Sequence, residues 1–162
     1  MRLSEGVEWG LHCVTLAAVL PPGAALPATR LAEYHDVPTA YLAKHLQALS
    51  RAGVLEAVPG PRGGYRLARP AGDVSVLDVV EAIDGVEPAF RCTEIRRKGP
   101  ARLPAREYRL PCSIHVVMNR ADATWRAELA RTSIADVVAM VADSAPPLAL
   151  EKGFRWFQEV LA

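Results

Sequence analysis

Apolar positions recur at helical spacing along most of this chain and alternate as strands in one short stretch. Val7, Leu11, Val14 and Ala18 share one face of a helix predicted from residue 5 to about residue 20, with Ser4 as N-cap and Pro-Pro-Gly at 21–23 as its stop. Pro27 or Ala28 opens a short helix to about residue 34, anchored by Leu31. Leu42, Leu46 and Leu49 mark the buried side of a third helix that Pro38 starts and Gly53 ends. Residues 54–58 and 64–68 alternate as two strands around a turn-forming tip, Pro-Gly-Pro-Arg-Gly, at 59–63. Ser75, with Asp78 as its capping-box partner, opens a helix whose apolar side is Val76, Val79, Val80 and Ile83 and which Gly85 ends. The period disappears over 86–111, where prolines and cations accumulate, and a loop of that length inside a compact domain is usually functional or disordered. It resumes over 113–131 through Ile114, Val117, Met118, Ala121, Trp125 and Leu129. Ser133 caps a helix to about residue 141, residues 144–147 read as a linker, and Phe154, Phe157, Val160 and Leu161 form one face of a tail helix.

Helix, strand, basic tip, strand is the order of a winged helix-turn-helix. The fold class predicted is therefore mainly α with a small β-wing, a winged helix-turn-helix followed by a long dimerisation helix. Its parts are a DNA-binding unit at 1–85, a loop at 86–112, dimerisation helices at 113–143, and a linker with tail helix at 144–162. The helix at 113–131 carries more apolar stripe than its own domain would cover, so a homodimer is expected, with the tail docked on the dimer core. In such a fold the third helix enters the major groove of double-stranded operator DNA. Thr39, Ala40, Tyr41 and Lys44 occupy its exposed N-terminal part, and Arg62 at the wing tip is placed to meet phosphate or a narrow minor groove.

Charge refines this picture. The net charge of the 162 residues is only +1, which argues against a uniformly basic nucleic-acid binder. The distribution is uneven: residues 28–72 hold six Arg or Lys against three acids, and residues 91–109 hold seven against two. Local fields of this kind attract phosphate whatever the total. Hydrophobic residues make up 51%, yet no uncharged apolar run approaches the roughly 20 residues of a membrane span. Glu5 and Glu8 also interrupt any secretory pattern, so a cytoplasmic protein with no membrane partner is expected. Three cysteines in that setting point to metal or redox chemistry rather than structural disulfides.

The wing run Gly-Pro-Arg-Gly-Gly-Tyr, preceded by Leu-Ala-Lys-His-Leu-Gln-Ala-Leu-Ser-Arg-Ala-Gly-Val-Leu, resembles the Rrf family of bacterial transcription regulators, whose members include IscR and NsrR. The resemblance extends from about residue 1 to residue 142. Family members with an iron–sulfur cluster place three closely spaced cysteines in the loop after the fourth helix. Here Cys92 matches the first, but the next is Cys112, with 19 residues between them, so a 4Fe–4S cluster is not expected. The set Glu8, Trp9, His12, Cys92 and Cys112 resembles that of a redox-sensing branch of the family. There, two cysteines of one subunit and a Glu–His pair of the other hold a 2Fe–2S cluster. The resemblance thus implies Glu8, His12, Cys92 and Cys112 as metal ligands, residues 86–112 as the cluster-binding loop, and Trp9 as a redox-coupled side chain.

Read from the residues alone, other donors stay open. His115 lies three residues from Cys112, Cys13 offers a third thiol, and His35 and His45 are further imidazoles. Two other readings of function also stand. In one, Cys92 and Cys112 form a reversible disulfide in a metal-free regulator. In the other, Glu8 and His12 serve as base and acid of a small enzyme, for which no cofactor loop or nucleophile motif is present.

Overall fold

The computed structural model describes residues 3–161 and is built of seven α-helices and one β-hairpin: α1 Glu5–Ala18, α2 Ala28–His35, α3 Thr39–Arg51, β1 Leu55–Val58, β2 Gly64–Leu67, α4 Val76–Asp84, α5 Ser113–Arg131, α6 Ile134–Ser144 and α7 Pro147–Leu161. α1 is the central element and packs against α3, α4, α6 and β2. Its composition explains that position. Gly6 and Gly10, one turn apart, let neighbours approach the backbone: a Cβ on Gly6 would stand 2.2 Å from the His45 ring, and one on Gly10 would stand 2.3 Å from the Ile83 side chain. Val7 and Val14 are buried as predicted, whereas Leu11 and Ala18 are only partly covered, and Gly6, Gly10, Cys13, Leu16 and Ala17 complete the buried surface.

α2, a three-residue turn and α3 form the helix-turn-helix. Asp36 in the left-handed region (φ 51°) ends α2, a conformation that Asp tolerates better than most side chains. Leu42, Leu46 and Leu49 are fully buried against α1, Leu26, Leu31 and Leu55. Burial of each such leucine contributes about 1.5–3 kcal/mol. Gly53 (φ 69°) ends α3 as predicted, and the Val54 N–H returns to the Leu49 carbonyl at 3.0 Å.

The strands are a residue shorter than expected at Val54 and at Ala68, and pair antiparallel with Leu55 opposite Leu67 and Val58 opposite Gly64. A third segment joins the hairpin, since Leu26 and Tyr65 exchange two backbone hydrogen bonds of 3.0 and 2.8 Å. α4 and α6 begin side by side. Each opens with a capping box, Ser75 with Asp78 and Ser133 with Asp136, and the Val76 N–H and Ile134 N–H cross-link them to Thr132 and Val74 at 2.9 and 2.8 Å. Ile134 is fully buried in the same core as the leucines of α3.

The tail departs from expectation. α6 continues to Ser144, so almost no linker remains, and α7 folds back on α2 of its own chain. Its covered residues are Gly153, Trp156, Phe157, Val160 and Leu161; Phe154, which the sequence assigned to that face, is 65% exposed. The aromatic ring of Tyr34 explains the docking: it meets Trp156 edge-on at 4.7 Å between centroids, a favourable arrangement. Among the described residues no helix is long and apolar enough to cross a membrane.

Candidate functional site

The predicted reading residues share one exposed surface. With Leu42, Leu46 and Leu49 facing the core, Thr39, Ala40, Tyr41 and Lys44 are exposed at the start of α3, and the Lys44 ammonium sits 5.1 Å from the centre of the Tyr41 ring. Arg62 is exposed at the wing tip and makes no ion pair among the described residues. Two other cations of this region are already engaged: Arg66 donates to Glu56 at 2.6 Å and Arg69 to Asp78 at 3.0 Å. His45, although on α3, turns its ring inward over Gly6 and away from this surface.

The loop between α4 and α5 lacks regular structure except for two single 3-10 turns, yet side chains tie it together. The Arg96 guanidinium forks onto Glu94 at 2.5 and 2.9 Å, donates to the Leu110 carbonyl at 3.1 Å, and lies 5.2 Å from the centre of the Tyr108 ring. The Tyr108 hydroxyl donates to the Arg96 carbonyl at 2.5 Å and accepts from the Leu103 N–H at 3.0 Å. Glu94 is held in the left-handed region (φ 51°), and its N–H faces the Cys92 sulfur at 3.4 Å. These contacts bring the two ends of the loop, and with them Cys92 and Cys112, next to each other.

Cys112 is the N-cap of α5. The backbone N–H of His115, then that of Ile114, the Arg96 charge and the neighbouring Cys92 thiol all favour its thiolate, and hold its pKa below the ordinary thiol value against the effect of burial. A helix N-terminus beside a guanidinium is an electropositive setting of the kind that activates cysteine. Cys13 is the opposite case: buried in the apolar core, its thiol is pushed up to about 12 and favours the protonated form near neutral pH.

Glu8 and His12 stand exposed on one side of α1, beside a shallow groove with Leu3, Ser4, Glu5, Val7 and Leu11. The His12 ring lies 5.4 Å from that of His35; burial first, then the His12 charge, lower the His35 pKa. Trp9 is half-buried and meets His45 of α3 edge-on at 6.0 Å. His115 shares the first turn of α5 with Cys112, as its spacing suggested, but its Nε2 is engaged with the Asn119 amide at 3.0 Å. Within one chain Glu8 and His12 are not gathered with the cysteines: among the described residues no three His, Cys, Asp or Glu side chains group as a metal site.

α5 itself buries no residue completely. Trp125 and Leu129 pack on Val7, Val76 and Val80, while Ile114 and Val117 in its first half are 64% and 62% exposed. Arg96, Glu94 and Tyr108 were not singled out from the sequence. The available signal was slight: Tyr108 is the one aromatic side chain between Cys92 and Cys112, in a run dominated by Arg, Lys and Pro.

Comparison with known proteins agrees with this geometry. Residues 3–140 match the family model described as "Rrf2: Iron-dependent Transcriptional regulator". YwgB of Bacillus subtilis (strain 168) is 32% identical over 85 residues, about half of each protein's length (52% of this chain and 54% of YwgB). Among solved structures, the global cysteine regulator CymR of B. subtilis superposes with a TM-score of 0.64 at 17% identity, covering 86% of this chain and 98% of that one. IscR of T. potens does so with a TM-score of 0.67 at 18% identity, covering 90% and 92%. The oxidized form of Staphylococcus aureus CymR gives 0.61 at 21%, covering 85% and 96%. These likenesses support the winged-helix fold, and a family match over most of the chain carries the function class with it: a DNA-binding transcription regulator rather than an enzyme. This chain belongs to the Rrf2 family of transcriptional regulators.

Proposed function

We propose that this regulator works as a homodimer whose affinity for double-stranded operator DNA follows the oxidation state of a 2Fe–2S cluster. The observation that carries the reading is the pairing of Cys92 with Cys112 at the N-terminus of α5, with the Arg96 charge beside them. The donor chemistry fits: thiolates suit iron, and imidazole replaces thiolate in known two-iron centres. Cys92 and Cys112 would hold one part of the cluster, and Glu8 and His12 of a second chain would complete the four donors. When bound, such a cluster supplies a one-electron change of charge.

The chain's own residues supply the rest. The N–H groups at the start of α5 and the Arg96 guanidinium stabilise negative charge on the Cys112 sulfur. Trp9, adjacent to Glu8, touches His45 of α3, which supports a role in passing a displacement of α1 to the recognition helix. Thr39, Ala40, Tyr41 and Lys44 would meet base edges, and Arg62 the phosphate backbone.

Protein purified without oxygen should show visible absorption from the cluster. Cys92→Ala and Cys112→Ala should abolish it, and His12→Ala should abolish it or shift it sharply, while His115→Ala leaves it alone. A second reading is favoured by the same neighbouring thiols, one of them with its thiolate stabilised: a metal-free switch in which Cys92 and Cys112 form a disulfide, giving two electrons and two protons to an oxidant. Colourless protein whose DNA affinity follows added dithiol would establish that reading and remove the first.

A further inference from the structure

α7 lies beyond residues 3–140, the segment matched by the family, and it closes one side of a cavity that neither DNA reading nor the thiol loop uses. The cavity has a volume of about 400 Å³ and is bounded by α1, α2, α6 and α7, with Leu16, Val138 and Phe157 among its apolar walls. That size falls within the usual range for small-molecule sites. Among the described residues no Lys, Arg, Asp or Glu lines it; the ionisable side chains there are His12, Tyr34 and His35.

Two observations mark it as a binding site rather than loose packing. Phe154 and Leu150 line it yet remain 65% and 44% exposed, an apolar rim that the folded chain leaves open. His35 also lines it, and among the described residues the buried His35 Nε2 has no hydrogen-bond partner, in a wall that is otherwise mostly apolar. Unsatisfied buried polar atoms are rare and costly, and a ligand that brings a hydrogen-bonding group would relieve this one. The shape also selects the occupant. A helix is about 10 Å across, so 400 Å³ would admit less than one turn of a second chain, whereas a compact molecule of one or two rings fits inside.

We propose that this cavity binds an uncharged, ring-sized apolar molecule carrying one hydrogen-bonding group, which pairs with His35. Its place makes it an effector site. His35 is the last residue of α2, directly before the turn into the recognition helix, and its ring is 5.4 Å from that of His12. An occupant therefore touches both the geometry of α3 and the setting of His12. The site borders His12, a donor in the two-iron reading, and stands apart from the thiols in the disulfide reading.

The test uses 6-propionyl-2-(dimethylamino)naphthalene, an uncharged two-ring ketone whose emission shifts to the blue in apolar surroundings, titrated into the full chain. Saturable binding of about one molecule per chain is expected. Ala149→Trp on α7 and Ala142→Trp on α6, each filling the cavity from one wall, should weaken binding at least tenfold with the native circular dichroism retained. His35→Phe, which keeps the apolar shape but removes the imidazole, should weaken it severalfold. Leu103→Ser, at an exposed apolar side chain of the loop between α4 and α5, should change nothing. The proposal is overturned by binding that does not saturate, by wild-type affinity in both correctly folded tryptophan variants, or by loss of binding in Leu103→Ser. It is equally overturned if either tryptophan variant turns a dimer into a monomer, because the cavity would then serve a second copy of the chain.

Discussion

The two glycines at the base of the wing have separate reasons to be glycine. A Cβ on Gly63 would stand 2.2 Å from the Val58 carbonyl oxygen, and one on Gly64 would stand 2.2 Å from the Leu26 backbone, where the third segment joins the hairpin. The motif was legible in the sequence, but the partner at Leu26 was not, because 38 residues separate it from Gly64. Arg96 is the reverse case, a residue whose role no spacing discloses. It acts through Glu94, Leu110 and Tyr108 across irregular chain, where neither helical nor strand period can align them. Since its charge is among the causes that lower the Cys112 pKa, Arg96→Gln should raise that pKa toward the ordinary thiol value. In metal-free protein the midpoint of the pH profile for iodoacetamide labelling of Cys112 should move upward, with Cys13 unlabelled below pH 9 in both forms, given its value of about 12. An unmoved profile would leave Arg96 with a purely architectural part.

Elements were legible wherever a cap and a period coincide. The limits of α5 were read correctly because Pro111 and Cys112 precede a sustained stripe and Thr132 interrupts it. The capping box of α4 was read for the same reason; that of α6 has the same Ser-x-x-Asp form, and Ser133 was read as its cap. On α7 three of the four predicted face residues, Phe157, Val160 and Leu161, are covered, and only Phe154 was misplaced, because the docking centres on Tyr34 and Trp156, a contact far apart in sequence. Ser133→Ala should lower stability by about 1 kcal/mol, the usual effect of losing such a cap, measured as a shift in urea midpoint. The pH dependence has a definite sign. The Ser133 side chain, then its backbone N–H, hold the Asp136 carboxyl below the ordinary carboxylate value. A group whose folded pKa is depressed stabilises the protein above its unfolded pKa, and that stability is lost as pH falls through the folded value. Asp136→Asn should therefore resemble the wild type in acid below the folded Asp136 pKa and be less stable than it near neutrality; a constant difference across that window would contradict the assignment.

At the scale of the molecule, α5, capped by Cys112, is linked through α4 to α3, which carries the proposed reading residues. Arg126 supplies a connection. It pairs with Asp122 on α5 at 2.8 Å and with Glu81 on α4, and donates to the Val86 and Glu87 carbonyls at 3.0 and 3.2 Å, so α5, α4 and the start of the loop move together. α4 in turn packs on α3 and α1. In the proposed homodimer a small rotation of α5 against its partner would be carried to α3 by rigid elements, and two such helices would have to sit about 34 Å apart to read successive faces of DNA. In the proposed homodimer the exposed Ile114 and Val117 would form the contact between copies, and Ile114→Asp combined with Val117→Asp should shift the sedimenting species toward the 17.5 kDa monomer. If the cluster draws Glu8 and His12 from one chain and Cys92 and Cys112 from the other, the same double variant should lose visible absorption although every donor residue is intact. Mixing then separates ligation across the dimer from ligation within a chain. A Glu8/His12 double variant and a Cys92/Cys112 double variant, each colourless alone, should together regain about one complete site per heterodimer when iron and sulfide are supplied. Heterodimers that form, as shown by differently tagged chains, yet remain colourless would exclude sharing across the dimer and return the second pair of donors to the same chain as the cysteines, with His115 the nearest imidazole in sequence to Cys112.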